Sequence, residues 1–144
     1  MPDDCLFCRF GRGEIPLHEV YRNRRIVAFM DIGPIRPGHV VIIPVDHHDY
    51  FESLPEPLAH EIMSLGQRIG QVLKARQGVE RVGFMYSGGD IAHAHAHVVP
   101  IVEKTDLTSR RYIQEDDLTF APLPNPGNEA LAAMASMIRE DLSA

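Results

Sequence analysis

No apolar run in the 144 residues approaches the length of a membrane span, and Asp3 and Asp4 precede the first apolar stretch, so the N-terminus carries no signal-peptide pattern. These absences predict a cytoplasmic protein that makes no membrane contact. Positive charge is also scarce, with 14 Lys and Arg against 20 Asp and Glu, a net −6. A nucleic-acid polymer normally demands a basic face, so no such partner is expected; a small phosphorylated ligand needs only local donors. With two cysteines there is no disulfide framework. Cys5 and Cys8 form a C-x-x-C, which in a reducing compartment means metal or redox chemistry more often than a structural bridge. No strand precedes Cys5, as redox pairs require, and half of a zinc site fits better; two unused thiols are the plain alternative. Neither an internal repeat nor a second domain is visible, and residues 1–144 read as one domain.

Histidine is what the chain concentrates. Ala92-His93-Ala94-His95-Ala96-His97-Val98-Val99-Pro100 holds three of the eight histidines in five residues, at strict alternation. Side chains alternate faces along a strand, so His93, His95 and His97 are expected on one side, with successive imidazoles roughly 7 Å apart. The alanines between them leave room on the other face for close packing. An imidazole serves as base, acid, nucleophile or metal ligand near neutral pH, and three on one face are hard to explain as core filler.

The remaining pattern mixes strands and helices. Residues 5–10 predict a short turn or helical piece ending at Gly11 and Gly13. Residues 18–21 and 26–30 read as a hairpin across Arg22-Asn23-Arg24-Arg25, and residues 39–43 as a strand buried on both faces. Ser53-Leu54-Pro55-Glu56 is a capping-box pattern. Behind it Leu58, Ile62, Leu65, Ile69 and Val72 recur at helical spacing as far as the C-cap Gly78. Gly66 and Gly70 interrupt this helix at a cost, which points to another backbone passing close. Residues 82–86 and 93–102 are the last two strands. Between them Ser87-Gly88-Gly89-Asp90 is a tight loop whose glycines let backbone N–H groups approach an anion. From 103 to 120 the chain is polar, with Arg110-Arg111 a solvated pair. Pro122, Pro124 and Pro126 then mark a linker, and Asn128 caps a terminal helix with Leu131, Met134, Ala135, Ile138 and Leu142 on one side.

These blocks together resemble the histidine-triad (HIT) family, in its Hint-like branch. The triad run matches that family's H-x-H-x-H-x-x signature. Cys5-Leu6-Phe7-Cys8, Gly13-Glu14-Ile15-Pro16, Ala28-Phe29-Met30-Asp31-Ile32, Pro37-Gly38-His39 and Ile42-Ile43-Pro44-Val45-Asp46-His47 match its other blocks in order, as far as about Pro100. The resemblance implies an α+β fold: an antiparallel sheet of about five strands, one long helix and a C-terminal helix, with the segment from about residue 103 as an extension. It implies a homodimer whose sheets run together. The implied activity is that of a nucleotide hydrolase or nucleotidyl transferase, acting at the α-phosphate of a nucleotidyl phosphoramidate, ester or dinucleoside polyphosphate through a covalent nucleotidyl-histidine.

Carried over position by position, the resemblance makes His95 the nucleophile, with His97 hydrogen-bonding the phosphate and helping proton movement. Asp31 would accept the ribose hydroxyls, and Ile32, Phe7, Phe10 and Ile15 would line the pocket of a purine base. A carbonyl accepting the proton of one His95 nitrogen would leave the other nucleophilic. The family usually carries an Asn and a Gly-Gln-Ser/Thr segment before the triad. Here the loop is shorter, so Ser87 and amides around Gly89 must supply the phosphate donors, while Asp90 sets a negative charge close by. That departure motivates the alternative of a nucleotide-binding or sensing module with little turnover. In zinc-bearing members the C-x-x-C is completed by the His of the I-P-x-x-H block and the first triad His. These are Cys5, Cys8, His47 and His93 here, with His48 a neighbouring competitor, a closed set suited to structural zinc that would also orient His95. A catalytic metal on the triad, as in β-barrel enzymes, fits poorly with the two helices.

Overall fold

The computed structural model describes residues 4–108 and 124–144, with 113, 114, 117, 119 and 122 between them; the expected Arg110-Arg111 pair lies outside the described residues. Five strands make one antiparallel sheet in the order β1-β2-β3-β5-β4. They are β1 (Glu19–Arg22), β2 (Ile26–Met30), β3 (Val40–Pro44), β4 (Arg81–Tyr86) and β5 (Ala96–Ile101). Among the described residues three α-helices accompany them: α1 (Leu6–Gly11), α2 (Glu56–Gln77) and α3 (Asn128–Ser143). This is the expected α+β arrangement.

The period-2 pattern divides the central strands between two cores. Ile26, Ala28 and Met30 of β2, Val40 and Ile42 of β3, and Ala96 and Val98 of β5 pack with Leu58, Ile62, Leu65, Ile69 and Leu73 of α2 and Leu131, Ala135 and Ile138 of α3. The residues between them, Val27, Phe29, Val41 and Ile43, form a smaller cluster with Phe7 of α1 on the opposite face. His97 alternates with Ala96 and Val98, so it faces α1 and not the long helices. A helix of six residues cannot cover a five-stranded sheet, and a hollow lined by Phe7, Phe10, Phe29 and Val41 opens beside it. Arg22 of β1 pins α1 in place by donating to the carbonyls of Phe10 and Gly11 at its C-terminus, at 3.0 and 2.8 Å.

Local chemistry sets the ends. In the β1–β2 hairpin the Asn23 Oδ1 accepts the N–H groups of Arg25 and Ile26, at 2.7 and 2.9 Å. Ser53 does not cap α2 as its pattern suggests: its hydroxyl donates back to the Tyr50 carbonyl at 2.8 Å within a 3-10 turn over Phe51–Ser53. The reason is Pro55. It forces Leu54 into an extended conformation with ψ 135°, so the helix starts only at Glu56, with Pro57 in its first turn. At the other end Gly78 takes the left-handed conformation, φ 67°, and its N–H donates to Lys74 O. The neighbour that excludes a side chain at Gly66 is an aromatic ring and not a backbone: a Cβ there would sit 2.6 Å from Phe84 Cε2. Gly127, not Asn128, precedes the first turn of α3, and Asn128 Oδ1 instead lies 3.2 Å from His18 Nε2.

Candidate active site and metal cluster

The triad is only partly a strand. β5 begins at Ala96, so His93 and His95 belong to the segment entering it, fastened where the Ala94 N–H donates to His48 O at 2.7 Å. The ring spacing tightens accordingly. His95 and His97 have centroids 5.2 Å apart, inside the roughly 7 Å of a regular strand. All three rings still lie on the α1 side, with Phe7 edge-on to His93 at 5.8 Å and to His95 at 5.1 Å.

Hydrogen-bond partners assign the ring protons. A carbonyl oxygen only accepts, so the 2.7 Å contact from His95 Nδ1 to His93 O places the His95 proton on Nδ1 and leaves Nε2 with its lone pair. By the same logic His93 donates Nε2–H to Pro44 O at 2.9 Å and keeps a lone pair on Nδ1. Burial pulls the pKa of His93 below the ordinary histidine value, and burial together with the neighbouring His95 does the same for His97.

The His93 lone pair faces sulfur. Its Nδ1 is 3.5 Å from both Cys5 Sγ and Cys8 Sγ, and Cys8 Sγ is 3.3 Å from His47 Nδ1. The ligand atoms of Cys5, Cys8, His47 and His93 all lie within 4.8 Å of one another, a group able to hold a metal ion. His47, not His48, completes it, and its far nitrogen contacts Asp49 Oδ1 at 2.8 Å, the kind of carboxylate that orients a ligating imidazole. Without a metal, burial and the adjacent Cys5 push the Cys8 thiol up to about 11.

Two hollows meet at His95. One, about 450 Å³, is lined by Phe7, Phe10, Ile15, Asp31, Ile32, His95 and His97, among others. Ile32 stands 72% exposed at its rim, and Asp31 reserves Oδ1 for the Gly33 N–H, at 2.8 Å. The other, about 380 Å³, runs past Tyr50, Phe51, Glu52, Tyr86, Ser87, Gly88 and Ala94 to the same imidazole. Of the expected donors, Ser87 therefore lies on the side away from Asp31, and Gly89 lines neither hollow. Asp90 lines the larger one. Sequence reasoning assigns no role to His18 and Asn128 in the larger hollow, to the Tyr50, Phe51 and Tyr86 wall of the smaller, or to His39, whose Nε2 contacts His97 Nδ1 at 2.9 Å. Only His39 carries a signal, as part of the Pro37-Gly38-His39 block.

Known proteins resemble this chain in sequence and in fold. The HIT domain matches residues 12–104. An adenosine 5'-monophosphoramidase of Candida albicans is 30% identical over 105 residues, covering 67% of this chain and 69% of its own. A Hit-like protein of Bartonella henselae involved in cell-cycle regulation superposes with a TM-score of 0.77 over 98% of both chains, at 23% identity. A zinc-bound histidine triad family protein of Mycobacterium smegmatis superposes with a TM-score of 0.73, covering 97% of this chain and 94% of its own, at 20% identity. Triad, sheet order and matched span converge, and the chain belongs to the HIT domain family.

Proposed function

We propose that the protein is a nucleotide hydrolase or nucleotidyl transferase that works through His95. The observation that carries this reading is the His95 Nδ1–H bond to His93 O, which leaves Nε2 as the nitrogen with a lone pair on a buried ring that lines both hollows. The larger hollow would hold a purine nucleoside, its base against Phe7, Phe10, Ile15 and Ile32 and its ribose at the free oxygen of Asp31. Nε2 would then attack the α-phosphorus. The bond from phosphorus to the leaving group breaks, and that group departs through the smaller hollow with a proton from water. Water next attacks the nucleotidyl-histidine, its proton neutralising the hydroxide left by the first step; the P–N bond breaks, a nucleoside monophosphate is released and the electron pair returns to His95 Nε2. Ser87 and the backbone at Gly88 would bind the departing side, and His97 the phosphate. Preorganised donors of this kind suffice for phosphoryl transfer without a lysine.

Zinc fits the sulfur and imidazole cluster. Nitrogen and sulfur ligands around tetrahedral zinc stand about 3.5 Å apart, close to the 3.3 and 3.5 Å separations found. With Cys5, Cys8, His47 and His93 as ligands no open position is left, so the ion would tie α1 to the triad segment and take no part in the reaction. A homodimer would join sheets at an edge strand, β1 or β4, and the cytoplasm is the expected compartment.

The test is turnover of an adenosine phosphoramidate with acid-quenched intact-mass analysis. The wild-type protein is expected to release AMP and show a transient nucleotidyl adduct, and His95→Ala to show neither while keeping its fold. Full activity in His95→Ala removes His95 from the nucleophile's role. Asp90, without a cationic partner among the described residues, favours a second reading, a nucleotide-binding module with little turnover. Nucleotide binding without turnover across phosphoramidates, esters and dinucleoside polyphosphates selects it.

A further inference from the structure

His39 stands just before β3 and is 2% exposed. Its Nδ1 lies 3.1 Å from the backbone nitrogen of Ile35. A backbone N–H only donates, so His39 Nδ1 holds a lone pair. Burial outweighs the opposing pull of Asp31 and drives the pKa of His39 down to about 4, so the ring is neutral near pH 7 and its single proton sits on Nε2. That nitrogen is 2.9 Å from His97 Nδ1 but 3.7 Å from Asp31 Oδ2, so the proton is donated to His97. His97 Nδ1 is therefore an acceptor, and the proton of neutral His97 is on Nε2.

The structure assigns to His39 the task of holding His97 as an Nε2–H tautomer, so that His97 meets the phosphate as a fixed hydrogen-bond donor and not as a general acid. This rests on the function proposed above and narrows it. Protonating His97 on Nδ1 would set two N–H groups head to head across 2.9 Å. Giving away the Nε2 proton would leave an imidazolate, because His39 has no second proton to pass on: its own Nδ1 is capped by Ile35 N–H. The proton for the leaving group must then come from water or the substrate. The groups that face His97 are His39 from the loop before β3, Asp31 from the end of β2 and His95 from the segment before β5; His18 and Asp90 line the same cavity. Of these only His39 holds a proton against a His97 nitrogen.

The experiment is two-bond proton–nitrogen correlation on protein labelled with nitrogen-15 histidine, beside steady-state kinetics. In the wild-type chain at pH 7 His97 is expected to show an unprotonated Nδ1 and a protonated Nε2. His39→Ala should give His97 a mixture of tautomers and an ordinary titration, with kcat down about tenfold and KM nearly unchanged, the loss of one oriented hydrogen bond in the transition state. His39→Gln places an amide N–H where the His39 Nε2–H was and should restore both tautomer and rate. A protonated His97 Nδ1 in the wild-type spectrum overturns the assignment even where His39→Ala fails to fold. So does an unchanged His97 tautomer in a folded His39→Ala protein, or His39→Gln behaving like His39→Ala. The expected spectrum in a protein that turns over no nucleotide substrate supports the tautomer assignment and overturns the proposed hydrolase or transferase function.

Discussion

The backbone carbonyl of His93 holds the Nδ1–H of His95 at 2.7 Å, while the His93 side chain faces Cys5 and Cys8. One residue thus joins the Cys5, Cys8, His47 and His93 cluster to the imidazole that the proposed reaction uses. If the cluster holds zinc as proposed, removing it with a chelator, or replacing Cys8 by Ser, is expected to release α1 and loosen this carbonyl. Loss of support around an anchored ligand typically costs 10–100-fold in activity. We expect kcat to fall within that range, and Tm to fall by several degrees from a loss of about 2 kcal/mol. Metal content measured beside kcat and Tm checks this; a chelated protein with full activity would show that the cluster and His95 are uncoupled.

The negative charge of Asp90 on the larger hollow, with His95 and His97, should repel a phosphate. Asp90→Asn is expected to tighten nucleoside monophosphate binding by roughly three- to tenfold at low salt, with the gain shrinking as ionic strength rises. Calorimetric Kd values at two salt concentrations decide it. Equal Kd values for both proteins at low salt would mean that the carboxylate turns away from the ligand.

How much of this is legible in the sequence depends on the range of the signal. The burial of β3 on both faces is legible as an unbroken apolar run, whereas the hairpin pattern of β2 does not reveal the same burial there. The partner of His97 does not show in the sequence: His39 is 58 residues away, and only the pairing of Val41 with His97 between β3 and β5 brings the two rings together. His47 and His48 are equivalent as letters, and the backbone path after β3 turns only His47 toward sulfur. Pattern alone misplaces the start of α2 because the capping signal at Ser53 and the proline effect at Pro55 compete, and the proline wins. The Tyr50, Phe51 and Tyr86 wall comes from two separated segments, with no local pattern to mark it.

Gly66 offers a packing test. Helix propensity alone predicts that Gly66→Ala stabilises α2 by roughly 1 kcal/mol. The Phe84 ring 2.6 Å from the new Cβ opposes this, and overpacking of that kind costs about 1–3 kcal/mol. The clash is expected to dominate, giving a net loss of about 1 kcal/mol in urea denaturation. Combining Gly66→Ala with Phe84→Leu should recover more stability than the two single changes sum to, because the residues are in contact.

Acid should destabilise the protein in two separate steps, whose signs follow from proton linkage. The folded-state pKa of His39 is depressed from 6.5 to about 4, so between these values the unfolded chain binds more protons. Stability is therefore full above pH 6.5 and is lost as pH falls toward 4. Asp106 accepts two bonds from Arg36, at 2.8 and 2.9 Å, and backbone N–H groups of Val102 and Glu103, which hold its carboxyl well below the usual range. Its contribution is present above the unfolded value near 4 and disappears only below it. His39→Gln should flatten the upper step, though not abolish it, since His93 and His97 are shifted the same way. Asp106→Asn should cost about 1–2 kcal/mol at pH 7 and progressively less below pH 4. Tm followed from pH 7 to pH 3 for the three proteins separates the steps, and a His39→Gln profile parallel to wild type between pH 6.5 and 4 would show that His39 titrates alike in folded and unfolded chains.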